Sequence, residues 1–473
     1  TTLFRSAQFK RALRQCRQDE SRTSADSLAN NLLKKNDKEF WKEIKKCNDS
    51  ATPLASTVNS VTGGQNIANM WQGYFNDLLN SSKDNKSEDF LSNALANENE
   101  YYFERFTVTE VIDSVRHLKN GKSSGMDGIY SEHFKFAHDR VSVLLSLIFN
   151  CIITHGHIPK SLMDTILIPI VKDKKGDVTD QDNYRPVAIT CIASKILELL
   201  ILHRYGELLR TTDNQFGFKD KLGTDLCVYT LKQVVEYYQS FSSPVYVAYL
   251  DASKAFDKIN HFHLLSKLVK RNVPIIIVRL LHVWYKMQNF IVRWGSFLSD
   301  PFTVSDGVRQ GGVASPIYFN LYLDELSNIL NKCLYGCMVN SCHLNHLFYA
   351  DDSVLLAPSP NALQKLIDVC SKYASYYELS FNVKKTKVMC FKPKGMSSLY
   401  VPRITLNGKI LEIVQQQKYL GVILEENSKD CDDMYRQMKS IYARGNILIK
   451  KFSICDTDVK SKLFKSYCSS FYC

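Results

Sequence analysis

Residues 344–356 read LNHLFYADDSVLL, an apolar run that is interrupted by the adjacent acids Asp351 and Asp352. The apolar residues on both sides of the acids predict two strands joined by a turn. Carboxylates in such a setting cost free energy unless a charged group meets them. Adjacent acids more often cap a surface turn, so the run by itself leaves both a structural and a catalytic interpretation open.

A third acid follows a second apolar run. Residues 245–250 read VYVAYL, the composition of a buried strand, and Asp251 comes directly after them. Acids at strand ends on separate segments suit a two-metal phosphoryl-transfer site, because Mg²⁺ takes a few carboxylates together with waters and substrate phosphates. Two such ions activate an attacking hydroxyl and stabilise a leaving pyrophosphate in polymerases and nucleases.

Strand-like runs alternate with helical patterns between residues 160 and 360, which indicates a mixed α/β body. The chain has 473 residues, 45% of them hydrophobic, so it can bury a sizeable core. Lys and Arg number 60 against 48 Asp and Glu, which gives a net charge of +12. A polyanionic partner fits this charge, although many basic proteins bind no nucleic acid.

Composition and helix signals divide the chain further. Residues 1–75 are predicted to be basic and helical, with Phe40 and Trp71 among the packing anchors, and residues 76–104 are predicted to be a polar linker. Thr107 to Glu110 predicts a capping box at the start of a compact domain. Ser359 followed by Pro360 predicts another helix start.

No targeting or membrane signal is visible in the sequence. The N-terminus lacks a charged leader followed by an apolar run, and no stretch approaches the roughly 20 apolar residues that span a bilayer. The 14 scattered cysteines indicate free thiols in a reducing compartment. We therefore expect a nuclear and cytoplasmic protein without a membrane partner. Because the chain starts at Thr1 and stops on an apolar helical pattern, we expect a piece of a longer protein.

Three ordered segments carry a resemblance to a known family. Residues 348–352, FYADD, resemble the aromatic-Ala-Asp-Asp box of reverse transcriptases, and residues 250–257, LDASKAFD, are similar to the first acidic motif of that family. Between them, residues 307–316, GVRQGGVASP, resemble its Gln-Gly motif. Their order and their spacing both fit.

The resemblance extends over roughly residues 105–473. Residues 121–129, GKSSGMDGI, are similar to a segment ahead of the fingers in enzymes of non-LTR retrotransposons, LINE-like or jockey-like, which favours these over retroviruses. The other segments look like two fingers motifs, the fourth palm motif and the primer-grip hairpin, at residues 168–172, 183–187, 382–387 and 419–421 respectively.

The resemblance implies an α+β fold of the right-hand polymerase type with a helical basic N-terminal extension. The implied divisions are the extension at 1–75, a polar linker at 76–104, fingers at 105–240, palm at 241–395, and a primer-grip hairpin with the start of a truncated thumb at 396–473.

It also implies roles at the site. Asp251, Asp351 and Asp352 would be catalytic and hold two Mg²⁺ ions, for which Mn²⁺ can substitute. The second acid of the box, here Asp352, often lies slightly aside. Phe256 falls where the family has its steric gate, a ring that leaves no room for a 2′-hydroxyl. Without the motif, Phe256 would be read as a core residue.

Contacts with the nucleotide are implied at further positions. Arg185 could bind a triphosphate bidentately and Lys172 as a point charge. Gln310 and Gly311 would lie under the incoming nucleotide and the template base. Either cation could equally be a solvated surface residue, and the glycine could serve only a helix-entry turn.

A general acid for the pyrophosphate is also implied, with Lys385 or Lys387 as the candidates. Alternatively, these lysines are ordinary solvated surface residues without a catalytic role.

The expected reaction is the addition of dNTPs to a primer 3′-hydroxyl on an RNA template, for target-primed reverse transcription. The expected partners are an RNA template, a DNA primer or target site, and dNTPs, with an endonuclease domain upstream in the full-length protein. Basic residues of the extension would bind template phosphates in a salt-dependent way. These residues are Arg5, Lys10, Arg11, Arg14, Arg17, Lys34 and Lys35.

Two rival functions stay open. One is an RNA-directed RNA polymerase or an intron maturase, and Phe256 together with Ala350 argues against the first of these. The other is a decayed or domesticated copy that only binds nucleic acid, although the three acids and Gln310 are intact.

Two motifs are rejected. The Cys and His residues between 333 and 346 lack zinc-knuckle spacing. Residues 121–123 lack the upstream glycine of a nucleotide P-loop.

Overall fold

The computed structural model describes residues 2–48, 54–80, 85–96, 103–252, 254–393, 395–396 and 402–469. Within these ranges the chain is a mixed α+β protein, as predicted. It divides into two compact units, one joining Thr1–Pro53 to Lys429–Cys473 and the other comprising Leu54–Ser428. In the described part of the chain, no helix is long and apolar enough to cross a membrane.

The described α-helices are numbered in chain order. They are α1 (Thr2–Leu33), α2 (Asp37–Asn48), α3 (Gly64–Leu78), α4 (Asn85–Ala96), α5 (Val108–His117), α6 (Ser131–Lys135), α7 (Arg140–His155), α8 (Lys160–Met163), α9 (Ile192–Tyr205), α10 (Thr224–Ser240), α11 (His261–Lys270), α12 (Ile275–Met287), α13 (Ser315–Lys332), α14 (Pro360–Tyr376), α15 (Cys431–Lys451) and α16 (Thr457–Tyr467). Short 3₁₀ helices cover Gln181–Asn183, Gly206–Leu209 and Ala255–Lys258.

The described strands follow the same order. They are β1 (Thr57–Val58), β2 (Val61–Thr62), β3 (Asp164–Val171), β4 (Tyr184–Thr190), β5 (Val245–Asp251), β6 (Asn289–Trp294), β7 (Phe297–Leu298), β8 (Phe302–Thr303), β9 (Cys337–Val339), β10 (Cys342–Leu344), β11 (His346–Tyr349), β12 (Asp352–Ala357), β13 (Lys387–Phe391), β14 (Thr405–Leu406), β15 (Lys409–Ile410), β16 (Glu412–Ile413), β17 (Gln416–Tyr419) and β18 (Val422–Glu425).

The central sheet of the larger unit has the strand order β11-β12-β5-β13-β16. Its middle strand, β5, is antiparallel to both β12 and β13. Side chains on one face of β5, such as Ala248, join a core with helices α11, α13 and α14, and those on the other face, such as Val247, join a core with α10. Because both faces are covered, β5 reads as a continuous apolar run rather than an alternating one.

A second sheet has the order β4-β3-β6-β7, with β8 also paired to β6. Strand β3 is antiparallel to β4 and parallel to β6. Helix α3 covers this sheet through Trp71, which is fully buried and lies 5.0 Å from the ring of Tyr184. Trp71 is therefore a packing anchor, as predicted, and it packs within the larger unit.

Several local predictions can be compared with the structure. The capping box is confirmed. The Thr107 hydroxyl accepts a hydrogen bond from the Glu110 backbone N–H, and the Glu110 carboxylate accepts one from the Thr107 backbone N–H. Ser359 caps α14 with Pro360 in its first turn, also as predicted. The structure differs from the polar linker expected over residues 76–104, since α4 lies there and buries Leu91 in the main core.

The smaller unit is helical and contains α1, α2, α15 and α16. Its hydrophobic core includes Leu28, Ile44, Val459 and Leu463, together with the fully buried Phe40. The expectation that Phe40 acts as a packing anchor is thereby confirmed. Residues 7–23 of α1 are exposed, so the helical form of this stretch rests on local propensity more than on packing.

Candidate active site

The three predicted acids lie at one edge of the central sheet. Asp352, the first residue of β12, stands directly opposite Asp251, the last residue of β5. Directly opposed residues of an antiparallel pair have Cβ atoms about 4.5–5.5 Å apart on one face of the sheet. Asp351 lies in the turn between β11 and β12, next to Ala350, whose φ is +56°. The sequence separates Asp251 from Asp351 and Asp352 by about 100 residues, and the strand register brings them together.

The carboxylates disfavour one another's ionisation. The surrounding protein partly desolvates the Asp352 carboxyl group. This desolvation and the charges of Asp351 and Asp251 raise the pKa of Asp352 to about 6. The pKa of Asp351 is raised by the surrounding protein and by Asp251, and the pKa of Asp251 is raised by burial. Asp351 and Asp352 nevertheless reach solvent. Among the described residues, no basic side chain forms an ion pair with any of the three.

The identity and charge of these residues fit magnesium ligands. Within the described ranges, no three His, Cys, Asp or Glu side chains are already arranged as a metal-binding group. Mg²⁺ is usually bound by one or two carboxylates, with waters and substrate phosphates completing the octahedron. Asp251 and Asp352 on opposed strands, with Asp351 beside them, can supply the protein's part of such a shell. Desolvation raises the pKa of all three acids, and for Asp351 and Asp352 the charges of neighbouring carboxylates raise it further, a repulsion that a divalent cation would offset.

Phe256 lies in the 3₁₀ helix that follows β5 and is half-buried. Its ring stacks on Phe319 of α13, with centroids 4.2 Å apart and planes within 7°. The ring of Phe218 meets it edge-on at 6.3 Å. These contacts fix the orientation of the Phe256 ring, which lies five residues beyond Asp251.

The loop of the Gln-Gly motif packs against the same 3₁₀ helix and against β4. The Gln310 side chain donates to Asp257 at 2.7 Å, and the Gln310 carbonyl accepts from the Ala188 backbone at 2.7 Å. Gly311 has φ +121°, and a Cβ at this position would lie 2.6 Å from the Ala188 carbonyl oxygen. No other residue fits there without moving the backbone.

A buried ion pair that was not predicted from the sequence anchors this loop. Arg309 and Glu198 form a salt bridge with both side chains buried, and the Arg309 guanidinium lies 4.9 Å from the centre of the Trp284 ring. The Glu198 carboxylate also accepts from the backbone of Val313 at 2.7 Å and Ala314 at 3.2 Å. It therefore satisfies free N–H groups at the start of α13. A single Glu within the apolar face of α9 was the available sequence signal.

Two lysine side chains, Lys172 and Lys254, lie near Asp182 and Asp257. Burial and the charges of Lys254 and Lys385 lower the pKa of Lys172, whose Nζ donates to the Asp182 carbonyl at 2.9 Å. Lys254 donates to the Tyr74 hydroxyl at 2.7 Å and lies 3.4 Å from an Asp182 carboxylate oxygen. Lys254 was not among the predicted site residues, although it belongs to the first acidic motif.

The remaining predicted cations differ in their surroundings. Lys385 is exposed. Its charge partly opposes the rise that burial causes in the pKa of Asp251, so Lys385 lies near that acid. Lys387 forms an ion pair with Glu412 instead. Arg185 is exposed on β4, and no ion pair of its guanidinium is found in the described part of the molecule.

Other residues considered in the sequence lie away from this edge or in the smaller unit. Cys337 is buried in a hydrophobic core, and His346 bonds to the Ser327 hydroxyl at 2.6 Å. Lys10, Arg11, Arg14 and Arg17 are exposed on α1, and Lys34 and Lys35 are exposed just after it. The side chain of Arg5 lies outside the described residues.

Opposed acids at a sheet edge, with Lys385 near Asp251, form a site suited to phosphoryl transfer. Residues 172–424 match the protein family described as "Reverse transcriptase (RNA-dependent DNA polymerase)". That match covers more than half of the chain, and the chain therefore belongs to this family.

Proteins of mobile elements are among its relatives. It is 28% identical over 337 residues to "Probable RNA-directed DNA polymerase from transposon BS" of Drosophila melanogaster, an alignment that covers 67% of this chain and 36% of the relative. It is 26% identical over 371 residues to "RNA-directed DNA polymerase from mobile element jockey" of Drosophila funebris, covering 76% and 40%. These relatives confirm the resemblance to non-LTR retrotransposon enzymes. The matched region spans about two fifths of their length.

Proposed function

We propose that this chain catalyses RNA-templated addition of deoxynucleotides to a primer 3′-hydroxyl, as the polymerase part of a non-LTR retrotransposon protein. The observation that carries the proposal is the pairing of Asp352 with Asp251 across the central sheet, with Asp351 in the adjoining turn. Family membership supplies the reaction class, and the unpaired acids supply a reason for a metal-dependent site.

In the proposed reaction the primer 3′-hydroxyl loses its proton to solvent, and its oxygen attacks the α-phosphorus of the dNTP. A new O–P bond forms, the bond between the α-phosphorus and its bridging oxygen breaks, and pyrophosphate leaves with the electron pair. Asp251, Asp351 and Asp352 would hold two Mg²⁺ ions, with Mn²⁺ as a substitute. Bound ions of this kind lower the pKa of the attacking hydroxyl and neutralise charge on the phosphates.

The cations would bind and protonate the leaving group. Arg185 has no ion-pair partner in the described residues, so its guanidinium is available to bind a triphosphate bidentately. Lys172 would contribute a point charge. Lys385 is the better candidate for the proton donor to pyrophosphate, because Lys387 is already paired with Glu412.

Sugar and base would be positioned by the neighbouring elements. Phe256, held by Phe319, would exclude a 2′-hydroxyl, so that dNTPs are selected by repulsion. Gln310 and Gly311 would lie under the incoming nucleotide and the template base. The bond from Gln310 to Asp257 keeps the glutamine side chain from rotating freely.

We assign residues 105–240 to fingers, 241–395 to palm, and 396–473 to the primer-grip hairpin and the start of a thumb. Strands β5, β11, β12 and β13 fall within the palm range. Strand β6 also lies in that range by sequence, but it pairs with β3 of the fingers. The hairpin of β17 and β18 turns at Leu420 and Gly421, which both have positive φ.

For the full-length protein we propose target-primed synthesis, in which an endonuclease outside these residues nicks DNA and the new 3′ end acts as primer. The exposed cations on and after α1 would bind phosphates of the RNA template.

Primer extension tests the proposal. A DNA primer annealed to an RNA template is incubated with dNTPs or rNTPs, with and without Mg²⁺, for the parent, Asp351→Asn and the exposed control Asp300→Asn. We expect extension that requires Mg²⁺ and dNTPs, persists in Asp300→Asn and is lost in Asp351→Asn. Salt-sensitive binding of the primer–template without any extension would instead support the copy that only binds nucleic acid.

A further inference from the structure

The segment of residues 214–217 lies outside the predicted motifs and extends the central sheet beside the acids. The backbone N–H of Phe216 donates to the Phe348 carbonyl at 2.7 Å, and that of Phe348 donates to the Asn214 carbonyl at 2.8 Å. Gln215 and Phe348 thereby form a parallel bridge at the edge of β11. The segment runs alongside the strand that leads into the turn containing Asp351.

The side chain of Gln215 reaches this turn. Its amide oxygen accepts from the Ala350 backbone N–H at 3.0 Å and from that of Gly217 at 2.8 Å. Gln215 is only 2% exposed, so water cannot readily replace it as an acceptor. The Ala350 N–H would be left buried without a partner if this oxygen were removed.

The turn before Asp351 contains a strained backbone conformation that the Gln215 hydrogen bond can stabilise. Ala350 is held at φ +56°, a left-handed conformation that costs a non-glycine residue about 1 kcal/mol or more. The segment also packs closely against the turn, because a Cβ on Gly217 would lie 2.3 Å from the Ala350 nitrogen. The Asn320 side chain of α13 donates to the Gly217 carbonyl at 2.6 Å and so fixes the segment from the other side.

We propose that Gln215 is a positioning residue that holds the Ala350 backbone and thereby sets the direction of the Asp351 carboxylate. This inference rests on the proposed function of the acids. Without the amide oxygen, the turn can relax towards an ordinary conformation and move the carboxylate. A displacement of about 1 Å at a catalytic group can cost roughly 100-fold in rate.

The test variant is Gln215→Met, which keeps the length of the side chain and removes the acceptor. Asn214→Ala is the matched control, because the Asn214 side chain donates at 3.0 Å to the His346 carbonyl, at the far end of β11 from the turn. The measurements are kcat, KM for dNTP, primer–template affinity, Tm, and Mn²⁺ affinity by electron paramagnetic resonance without turnover.

For Gln215→Met we expect a kcat roughly 10- to 100-fold lower, weaker Mn²⁺ binding, and an unchanged primer–template affinity. Asn214→Ala should retain the parent's kcat and Mn²⁺ affinity. Parent kcat and Mn²⁺ affinity in Gln215→Met would overturn the proposal, as would equal losses in both variants. If the parent itself extends no primer, the proposed function fails, while Mn²⁺ binding still decides the role of Gln215.

A second variant separates positioning from general destabilisation. Glycine adopts the left-handed conformation of Ala350 without strain. If Gln215 acts by holding that conformation, the penalty of Gln215→Met should be smaller in an Ala350→Gly background. Additive effects of the two substitutions on kcat would contradict this mechanism.

Discussion

Two regions of the larger unit differ in whether their charged side chains have partners. Glu198 and Arg309 are buried between α9 and the Gln-Gly loop, where they pair with each other and the glutamate also binds backbone N–H groups. Asp251, Asp351 and Asp352 stand at an accessible sheet edge, where desolvation raises the pKa of all three and the charge of Asp251 raises those of Asp351 and Asp352 further. The first group is neutralised within the protein, whereas no basic side chain among the described residues forms an ion pair with the second.

The difference indicates which charges serve structure and which serve chemistry. A buried ion pair that is also hydrogen-bonded fixes a loop but is out of reach of a substrate. Acids that are clustered, reachable and unpaired lower stability and are retained where function requires them. Asp257 is an intermediate case, since it is buried and bonded to the neutral amide of Gln310.

The largest expected effect is the loss of activity when one of the three acids, Asp251, Asp351 or Asp352, is replaced. Asp251→Asn removes one carboxylate while preserving its shape, and primer extension should fall by roughly a thousandfold or more. Stability should stay the same or rise, because repulsion with Asp351 and Asp352 is removed. Rates from single-nucleotide extension and Tm from thermal unfolding test both parts. Loss of activity together with a large drop in Tm would indicate a structural role for Asp251.

The opposite result is expected at the buried pair. Glu198→Ala leaves Arg309 without its partner, and the free energy of unfolding should fall by about 3–5 kcal/mol. Glu207→Ala is the matched control, because Glu207 pairs with Arg210 on the surface with both side chains about three quarters exposed. There the loss should be below about 1 kcal/mol. Urea denaturation of the three proteins measures it, and equal losses would contradict the assignment.

A smaller effect on activity is expected from the lysines. Lys385→Ala should lower kcat by about 100-fold if this side chain protonates the pyrophosphate. Lys387→Ala should have much less effect, because that lysine is paired with Glu412. Pre-steady-state extension distinguishes the two variants, and a larger loss for Lys387→Ala would reverse the assignment of the proton donor.

Phe256→Val should change selectivity more than rate. Removing the ring opens room for a 2′-hydroxyl, so rNTP incorporation relative to dNTP should increase by roughly 10- to 100-fold. The ratio of kcat/KM values for the two nucleotides reports this directly. An unchanged ratio would return Phe256 to a core residue that stacks on Phe319.

The smallest expected effect is a pH dependence at Asp257. Burial raises its pKa to about 6, although Gln310 lowers it somewhat. A folded-state pKa above the unfolded value near 3.8 means that the folded state binds the proton more tightly. The contribution of Asp257 to stability is therefore favourable at low pH and is lost as pH rises from about 4 to 6. Asp257→Asn should flatten the Tm–pH profile over this interval, and an unchanged profile would contradict the assignment.

The sequence was most informative where one segment carried its own signal. The capping box at Thr107, the helix start at Ser359 and the continuous apolar strand before Asp251 all depend on local patterns, and the structure contains each of them. The acids were identified through motif order, whereas their direct opposition depends on the strand register, which no local pattern fixes.

Side chains that act through distant partners were not found from the sequence. Glu198 and Arg309 are 111 residues apart, and Gln215 and Ala350 are 135 residues apart. Neither residue type nor spacing indicates such bonds in a single sequence. Helix α4 was missed for a different reason, because the polar residues around it outweighed the few apolar ones that it buries.

The most direct test of the acid edge as a cation site is thermal unfolding of the parent and Asp352→Asn across a Mg²⁺ titration at pH 8 without nucleic acid. We expect Mg²⁺ to raise the Tm of the parent, with about 2.7 kcal/mol of stabilisation at 100 times the dissociation constant. Asp352→Asn should begin at an equal or higher Tm and respond much less to Mg²⁺. The same Mg²⁺-dependent rise in both proteins, or none in the parent, would contradict the assignment of these acids as the metal site.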